Sequence, residues 1–273
     1  MQERKIVWRG PKVRTWEEFV RVVKRPDRPL LARLGAFPRP ILVAGCQRSG
    51  TTAVTRLIAS ADGVGDFRFG GDDELDAALI LSGQVETTAS GRLAFQTTYL
   101  NDRFHEYFEH DGFRLVWVVR DPLSVVRSML HHWRRGALNR LYAACGAHAA
   151  RRWNDELARA PRSLLRPSRL EKACASYVGK VSQTFELAAR LVPRRMIVVD
   201  YDELVLHKGS LLPDVFEFLD LPYRPELAGR LHAKSVDNGR LLPARHAAYV
   251  EETCRSVYER ARAWRIRVRE AAA

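Results

Sequence analysis

The stretch of residues 40–57 constrains the fold of this chain more than any other, because it joins a buried strand to a helix through a short turn. Residues 41–44 are an apolar run typical of a strand buried on both faces. The turn runs from Gly45 to Gly50, and Thr51 opens a segment with apolar residues at helical spacing. Backbone N–H groups at such a helix start lack intrahelical acceptors, and the helix dipole adds positive charge there. The sequence therefore predicts an anion site at this turn.

The residues of the turn indicate which kind of anion it binds. A nucleoside-triphosphate loop reads G-x-x-x-x-G-K-[ST], with the lysine on the terminal phosphates. Gly45 and Gly50 have that spacing, but Thr51 occupies the lysine position, and the cation is Arg48 inside the loop. A turn of this kind can also simply connect a strand to a helix, so a second signal is needed.

The loop resembles the 5′-phosphosulfate loop of sulfotransferases that use 3′-phosphoadenosine 5′-phosphosulfate (PAPS). That loop carries a basic residue followed by Ser-Gly-Thr-Thr after a buried strand. The resemblance implies that Arg48 supplies charge at the bridging oxygen of PAPS, and that adenosine 3′,5′-bisphosphate (PAP) is released. It implies a 5′-phosphate site made of Ser49, Gly50, Thr51 and Thr52.

A second signature follows the apolar strand predicted over residues 115–119. Arg120 lies at its carboxyl end, where ligands bind in open α/β sheets. Asp121 is a suitable N-cap for the next helix, with Pro122 at its first position. Arg120 together with Ser128 resembles the 3′-phosphate site of the sulfotransferases, and guanidinium and hydroxyl donors suit a phosphate. In isolation, a structural ion pair with a helix carboxylate would be the favoured explanation of the arginine.

The candidate general base is acidic. Asp72 and Asp73 can cap the helix predicted through residues 77–81, and such capping is the structural alternative for these carboxylates. By resemblance, some sulfotransferases place an acidic base after the loop helix, which favours Glu74, with Asp73 and Asp72 next. Gln96 and Thr98 stand where the cytosolic members carry a lysine and a catalytic histidine. That departure strengthens the acidic hypothesis; the remaining candidate is His105.

The later part of the chain carries weaker signals. Tyr201 begins a segment that resembles the family's Tyr-Glu-Asp-Leu sequence, in which the tyrosine lies near the nucleotide. The Arg-Lys-Gly triplet that closes over the cofactor in the cytosolic branch is missing, and Lys234, Ser235 or Arg240 are candidates for its role. Trp133 is a candidate for lining an acceptor pocket.

The order of elements predicts an α/β fold, with three α/β/α layers around a mainly parallel sheet. We expect one domain over residues 1–273, since this length buries one substantial core. Its predicted parts are a lead-in segment (1–39), a cofactor-binding core (40–222) and a closing loop with a C-terminal helix (223–273). A helical insertion at about 140–192 would form the acceptor pocket.

Composition limits the location and the partners. The net charge of +13 suggests nucleic acid, but only seven of the 45 basic residues are lysine, which indicates a compositional bias, and no nucleic-acid motif is present. The four cysteines are scattered without metal-ligand spacing, as expected for free thiols in a reducing compartment. No run is long enough for a signal peptide or a membrane span. We therefore expect a cytoplasmic protein without a metal site.

The resemblance implies transfer of a sulfuryl group from PAPS to a hydroxyl or amine of a small-molecule, carbohydrate or natural-product acceptor. No metal is required. The first alternative is a P-loop kinase, which would need a lysine after Gly50 and an acidic magnesium ligand at a strand end, where only Asp200 is offered. The second is a basic nucleic-acid-binding protein. The sequence specifies neither the acceptor nor the oligomeric state.

Overall fold

A parallel sheet lies at the centre of the computed structural model, which describes residues 6–149 and 167–266. One sheet has the strand order β3-β5-β2-β6-β7 with all neighbours parallel, and β1 pairs with β4 in a separate antiparallel ribbon. The strands in these ranges are β1 (Ile6–Trp8), β2 (Ile41–Gly45), β3 (Val64–Gly65), β4 (Val85–Thr87), β5 (Arg92–Gln96), β6 (Arg114–Val119) and β7 (Met196–Asp200).

Helices cover both faces of the sheet. The α-helices of the described ranges are α1 (Trp16–Val22), α2 (Thr51–Ile58), α3 (Asp73–Leu81), α4 (Pro122–His131), α5 (Arg135–Leu141), α6 (Arg169–Leu191), α7 (Tyr201–Leu206), α8 (Lys208–Phe218) and α9 (Ala244–Arg262). Leu42 and Ala44 of β2 pack with residues of α3, α4, α6 and α9, whereas Ile41 and Val43 pack with α2, α7 and α8. Successive side chains of a strand point to opposite faces, which produces two cores. The predicted three-layer α/β architecture is confirmed.

The register brings the functional segments to one edge of the sheet. Gly45 of β2 lies opposite Val118 of β6, and Val119 lies opposite Asp200 of β7. The residues that follow β2, β5, β6 and β7 therefore meet at the carboxyl edge, where open α/β sheets bind ligands.

Several local predictions differ from the structure. The sequence predicts that the helix after Pro122 continues through residues 131–135, but α4 ends at His131 and α5 begins at Arg135 after the extended Arg134. The ribbon of β1 and β4 is not predicted, because three-residue strands carry too little alternation to recognise. The break near Pro161 in the predicted insertion lies outside the described residues. None of the described helices combines the length and apolar character needed to cross a bilayer.

Candidate active site

The loop between β2 and α2 has two glycines at positions where a side chain would be strained. Gly45 has φ +136°, and a Cβ there would lie 2.1 Å from the carbonyl oxygen of Val118. Gly50 has φ +93°, and a Cβ there would lie 2.2 Å from the ring of Tyr201. Gly50 also offers no side-chain cap to α2. The N–H groups of the first turn of α2 can therefore bind an anion.

Arg120 is held at the end of β6 by contacts on three sides. Its Nε donates to Oδ1 of Asp202 at 3.0 Å, and its guanidinium lies 4.7 Å from the centre of the Tyr201 ring. Its own carbonyl accepts a hydrogen bond from the hydroxyl of Tyr177 at 2.7 Å. Burial raises the pKa of Asp202 to about 6, although the charge of Arg120 opposes this rise. The ion pair considered for the strand-end arginine is thus present, and it positions a guanidinium that still lines a cavity.

The two sequence signatures meet around this cavity of about 390 Å³. Arg48 Nε donates to the hydroxyl oxygen of Ser128 at 2.9 Å. This bond joins the loop after β2 to the second turn of α4. The residues that line the cavity are Gln47, Arg48, Gly50, Thr51, Thr52, Ala53, Glu74, Gln96, Thr98, Arg120, Ser124, Arg127, Ser128, His132, Trp133, Tyr201 and Asn238.

The charges and the orphaned polar atoms of this cavity fit a ligand with more than one anionic group. Burial lowers the pKa of Arg48, and the neighbouring charge of Arg120 lowers it further. Two guanidinium groups that repel each other in a partly buried site favour an anion between them. Arg127, which lines the cavity, has its Nε buried without a hydrogen-bond partner among the described residues. The same holds for Ser49 Oγ in the loop, although Ser49 does not itself line the cavity. A ligand with phosphate oxygens would satisfy such donors.

Glu74 lies in the first turn of α3 and also lines the cavity. Its carboxylate accepts hydrogen bonds from the hydroxyl of Thr98, from Gln96 Nε2 at 3.2 Å and from the backbone amide of Tyr99. Burial is the largest influence and raises the pKa of Glu74 to about 7, while these hydrogen bonds with the hydroxyl and the amide act in the opposite direction. A carboxylate that titrates near neutral pH is suited to general base catalysis.

The two neighbouring carboxylates are engaged elsewhere. Asp72 is the N-cap of α3, and it also accepts a hydrogen bond from Nε1 of Trp16 at 2.9 Å. Asp73 accepts from Nε of Arg56 at 2.7 Å. Of the three acidic candidates, only Glu74 lines the first cavity.

A second cavity of about 770 Å³ adjoins the first and shares Gln47, Arg48, Thr52, Glu74, Gln96 and Trp133 with it. Trp16 and Phe19 from α1 form an aromatic wall with Tyr99, with ring centroids 5.4–6.0 Å apart. Helix α5 and the π-helical segment Tyr142–Gly146 that follows it also line this cavity. Helix α1 of the lead-in segment therefore forms part of this cavity.

A comparison with protein families matches residues 38–253 to the family described as the sulfotransferase domain. The chain belongs to the sulfotransferase family. Membership decides between the alternatives, since it supports sulfuryl transfer rather than a kinase or a nucleic-acid binder. Asp200, the strand-end carboxylate considered for a kinase, caps α7 and accepts a hydrogen bond from the hydroxyl of Tyr258 at 2.5 Å.

Solved sulfotransferases share the fold. The mouse sulfotransferase SULT7A1, crystallised with PAP, has a TM-score of 0.53 and 14% sequence identity; the match covers 86% of this chain and 91% of that one. The sulfotransferase domain from the curacin biosynthetic pathway has a TM-score of 0.50 and 13% identity; this match covers 84% and 92% of the two chains. A search of curated protein sequences gives no match.

The structure of this sulfotransferase brings together most of the residues predicted from sequence. Arg48, Thr51, Thr52, Arg120, Ser128 and Tyr201 line the first cavity with Gly50 and Glu74. Lys234 is exposed and lies outside the residues that line either cavity, so its role stays a prediction, as does that of Ser235. His105 is also exposed and lines neither cavity.

Other residues at the site were missed as functional candidates. Asn238 reaches the first cavity because the short helix Asn238–Leu241 packs on the start of α4, where a Cβ on Gly239 would lie 2.5 Å from Leu123. Gln96 and Thr98 were noted only as departures from the family pattern, yet both donate to Glu74. Their position directly after β5 was the available signal, because the parallel strands β2, β6 and β7 also deliver their next residues to the site.

Proposed function

We propose that this sulfotransferase transfers the sulfuryl group of PAPS, bound in the first cavity, to a hydroxyl group of a small molecule bound in the second, with Glu74 as general base. The observation that carries the proposal is that Glu74 and Arg48 line both cavities. A proton acceptor and a cation thus lie where the two ligands would meet. Both are required at the reacting centre of a group transfer.

The donor would be held by two groups of residues. The loop residues Ser49, Gly50, Thr51 and Thr52 would bind the 5′-phosphate at the start of α2. Arg120 and Ser128 would bind the 3′-phosphate, the group that distinguishes PAPS from ATP, and Tyr201 would pack beside it. The mouse relative crystallised with PAP supports this choice of donor. PAPS supplies an activated sulfuryl group on a phosphate oxygen, and PAP is its leaving group.

The chain's own groups act on the proton and on the charge. The Glu74 carboxylate takes the proton from the acceptor hydroxyl as the oxygen of that hydroxyl bonds to sulfur. Thr98 and Gln96 orient the carboxylate through their hydrogen bonds. The Arg48 guanidinium stabilises negative charge that develops on the bridging oxygen. Thr51 connects the start of α2 to the residues that hold Glu74, since its hydroxyl oxygen accepts a hydrogen bond from Gln96 Nε2 at 3.3 Å.

The second cavity favours a small acceptor with a flat apolar body. Its aromatic wall of Trp16, Phe19 and Tyr99 suits ring stacking. Its volume of about 770 Å³ is in the range of sites for drug-sized molecules. A sugar or an amine of similar size would also fit this cavity as the acceptor.

Two measurements test the proposal. PAP should raise the melting temperature of the purified chain without magnesium, whereas ATP with magnesium should give a much smaller shift. Radiolabelled sulfate should pass from PAPS to at least one member of a panel of phenols, alcohols, sugars and amines. Equal stabilisation by ATP and PAP, or no PAP binding at all, would contradict the assigned donor.

A further inference from the structure

Lys180 is a buried lysine that the proposed reaction leaves without a role. It lies in the middle of α6, and only 1% of its surface is exposed. Its Nζ donates to the carbonyl oxygen of Thr98 at 3.2 Å and lies 5.5 Å from the centre of the Trp117 ring. In residues 6–149 and 167–266, no carboxylate is within salt-bridge distance of this Nζ. An ammonium group buried without a carboxylate is costly, so its position needs an explanation.

The contact with Thr98 connects Lys180 to the base. Gln47 Nε2 donates to the same Thr98 carbonyl at 3.0 Å, so two donors fix the turn that follows β5. That turn also supplies the Thr98 hydroxyl and the Tyr99 amide to the carboxylate of Glu74. One residue, Thr98, therefore joins the ammonium group to the carboxylate.

The charges of Lys180 and Glu74 also influence each other. Burial raises the pKa of Glu74, and the positive charge of Lys180 opposes that rise. Burial lowers the pKa of Lys180, and Glu74 is among the groups that oppose that fall. The charge of Asp72 also acts on Glu74, and Glu74 in turn raises the pKa of Tyr99 and Tyr107. The other titratable groups that act on Lys180 are Cys46, Cys145 and Asp102.

We propose that Lys180 is a positioning residue for the general base: through the Thr98 carbonyl it fixes the hydroxyl and the amide that hold Glu74, and its charge stabilises the ionised carboxylate. The inference rests on the proposed function, because it assigns Lys180 to the base of that reaction. A positioning role can be distinguished from a purely structural one, since a structural lysine would leave the pH profile of turnover unchanged.

The first experiment compares Lys180→Met and Lys180→Gln with the wild type. Lys172→Met is the matched control, since Lys172 lies on the same helix and donates to Asn139 at 2.9 Å, away from both cavities. Both Lys180 variants should move the acidic limb of kcat/KM to higher pH. A shift of one pH unit corresponds to about a tenfold loss at about pH 6, with most activity recovered at about pH 9. The KM for PAPS should stay within about twofold, because no Lys180 atom lines either cavity.

A folded Lys180→Met whose acidic limb matches that of the wild type would overturn the inference. If both variants unfold, the coupling is measured with Lys180 intact. NMR titration of the Lys180 side chain should give a lower pKa in Glu74→Gln than in the wild type, because the effect of two charges on each other is reciprocal. Identical titration curves would overturn the inference.

These outcomes are separate from a failure of the proposed function. That function fails if the wild type transfers no sulfate or if Glu74→Gln keeps its turnover, and neither result depends on a Lys180 variant. The NMR titration requires no activity and tests the coupling in either case.

Discussion

Arg48 Nε donates a hydrogen bond to Ser128 Oγ at 2.9 Å, although the two residues are 80 positions apart in the chain. Arg48 belongs to the loop that the sequence assigns to the 5′-phosphate, and Ser128 to the helix assigned to the 3′-phosphate. The bond shows that both signatures contribute to one cavity. The residues predicted for the two phosphates of PAPS therefore lie around the same cavity.

Arg120→Ala should weaken PAP binding by about 10- to 100-fold, because a charged hydrogen bond contributes about 1.5–3 kcal/mol. The affinity for adenosine 5′-phosphate, which has no 3′-phosphate, should fall much less. Isothermal titration calorimetry with both nucleotides measures the difference. Arg114→Ala is the matched control, since Arg114 begins the strand that Arg120 follows. Its guanidinium donates hydrogen bonds to the carbonyl oxygens of Phe218 and Arg194. Equal losses for the two nucleotides would remove Arg120 from the 3′-phosphate site.

Glu74→Gln should lower kcat by about 100-fold or more, the usual contribution of a general base, while PAP affinity changes by less than about twofold. The amide keeps the size of the side chain but does not accept the proton. Single-turnover transfer to any acceptor found in the panel measures the effect. Asp73→Asn is the informative comparison: if it abolishes turnover and Glu74→Gln does not, the base is Asp73.

The kcat/KM of the wild type should rise with pH and level off above about pH 7. Burial raises the pKa of Glu74 to about 7, so the carboxyl is protonated, and unable to act as a base, below that pH. Each unit below the pKa should cost about tenfold in rate. A profile that is flat between about pH 5 and pH 8 would contradict a base with this environment.

Glu74→Gln should also stabilise the chain at alkaline pH relative to the wild type. The folded-state pKa of about 7 lies above the ordinary glutamate value of 4.5, so the stability that Glu74 contributes is present below pH 4.5 and is lost as the pH rises to 7. The neutral amide avoids this loss, which is on the order of 1–3 kcal/mol. Urea unfolding at about pH 8 and about pH 5 should show a larger advantage for Glu74→Gln at the higher pH. An advantage of the same size at both values would rule out the titration of Glu74 as its cause.

Gly50→Ala should abolish measurable PAP binding in a chain that still folds, because the methyl group would displace the Tyr201 ring and disturb the loop. Gly63→Ala separates backbone strain from steric clash, since Gly63 has φ +81° but open space where a Cβ would lie. It should lower stability by about 1 kcal/mol and leave PAP binding unchanged. Fluorescence titration with PAP, paired with thermal unfolding of both variants, checks the prediction.

The sequence predicted elements well where a local pattern alone defines them. The apolar runs of β2, β6 and β7 are buried along nearly their whole length, and such strands are recognisable without knowledge of their partners. Asp121 and Pro122 define the start of α4 as expected from capping chemistry. The short ribbon of β1 and β4 could not be predicted, since its strands exist only through pairing with each other.

The residues of the candidate site also fall into those that a local pattern identifies and those that only packing brings in. Arg48 and Arg120 were identified because their motifs are continuous in sequence. Asn238 was not, because it belongs to a four-residue 3₁₀ helix that reaches the cavity only by packing on α4. Lys180 was not, because the pattern of its own helix describes only amphipathic burial, and its contact with Thr98 arises from packing. No local pattern distinguishes a buried lysine that faces a catalytic turn from one that extends to solvent.

The sequence by itself determined the loop between β2 and α2, the main strands β2, β5, β6 and β7, and the family to which the chain belongs, because each depends on residues close together in the chain. Only the tertiary structure decided that Glu74, rather than Asp72 or Asp73, lies between the two cavities, and that α1 contributes the wall of the second. These features depend on desolvation and on contacts between distant segments. Both arise only when the chain is packed, since burial is the largest cause of the raised pKa of Glu74.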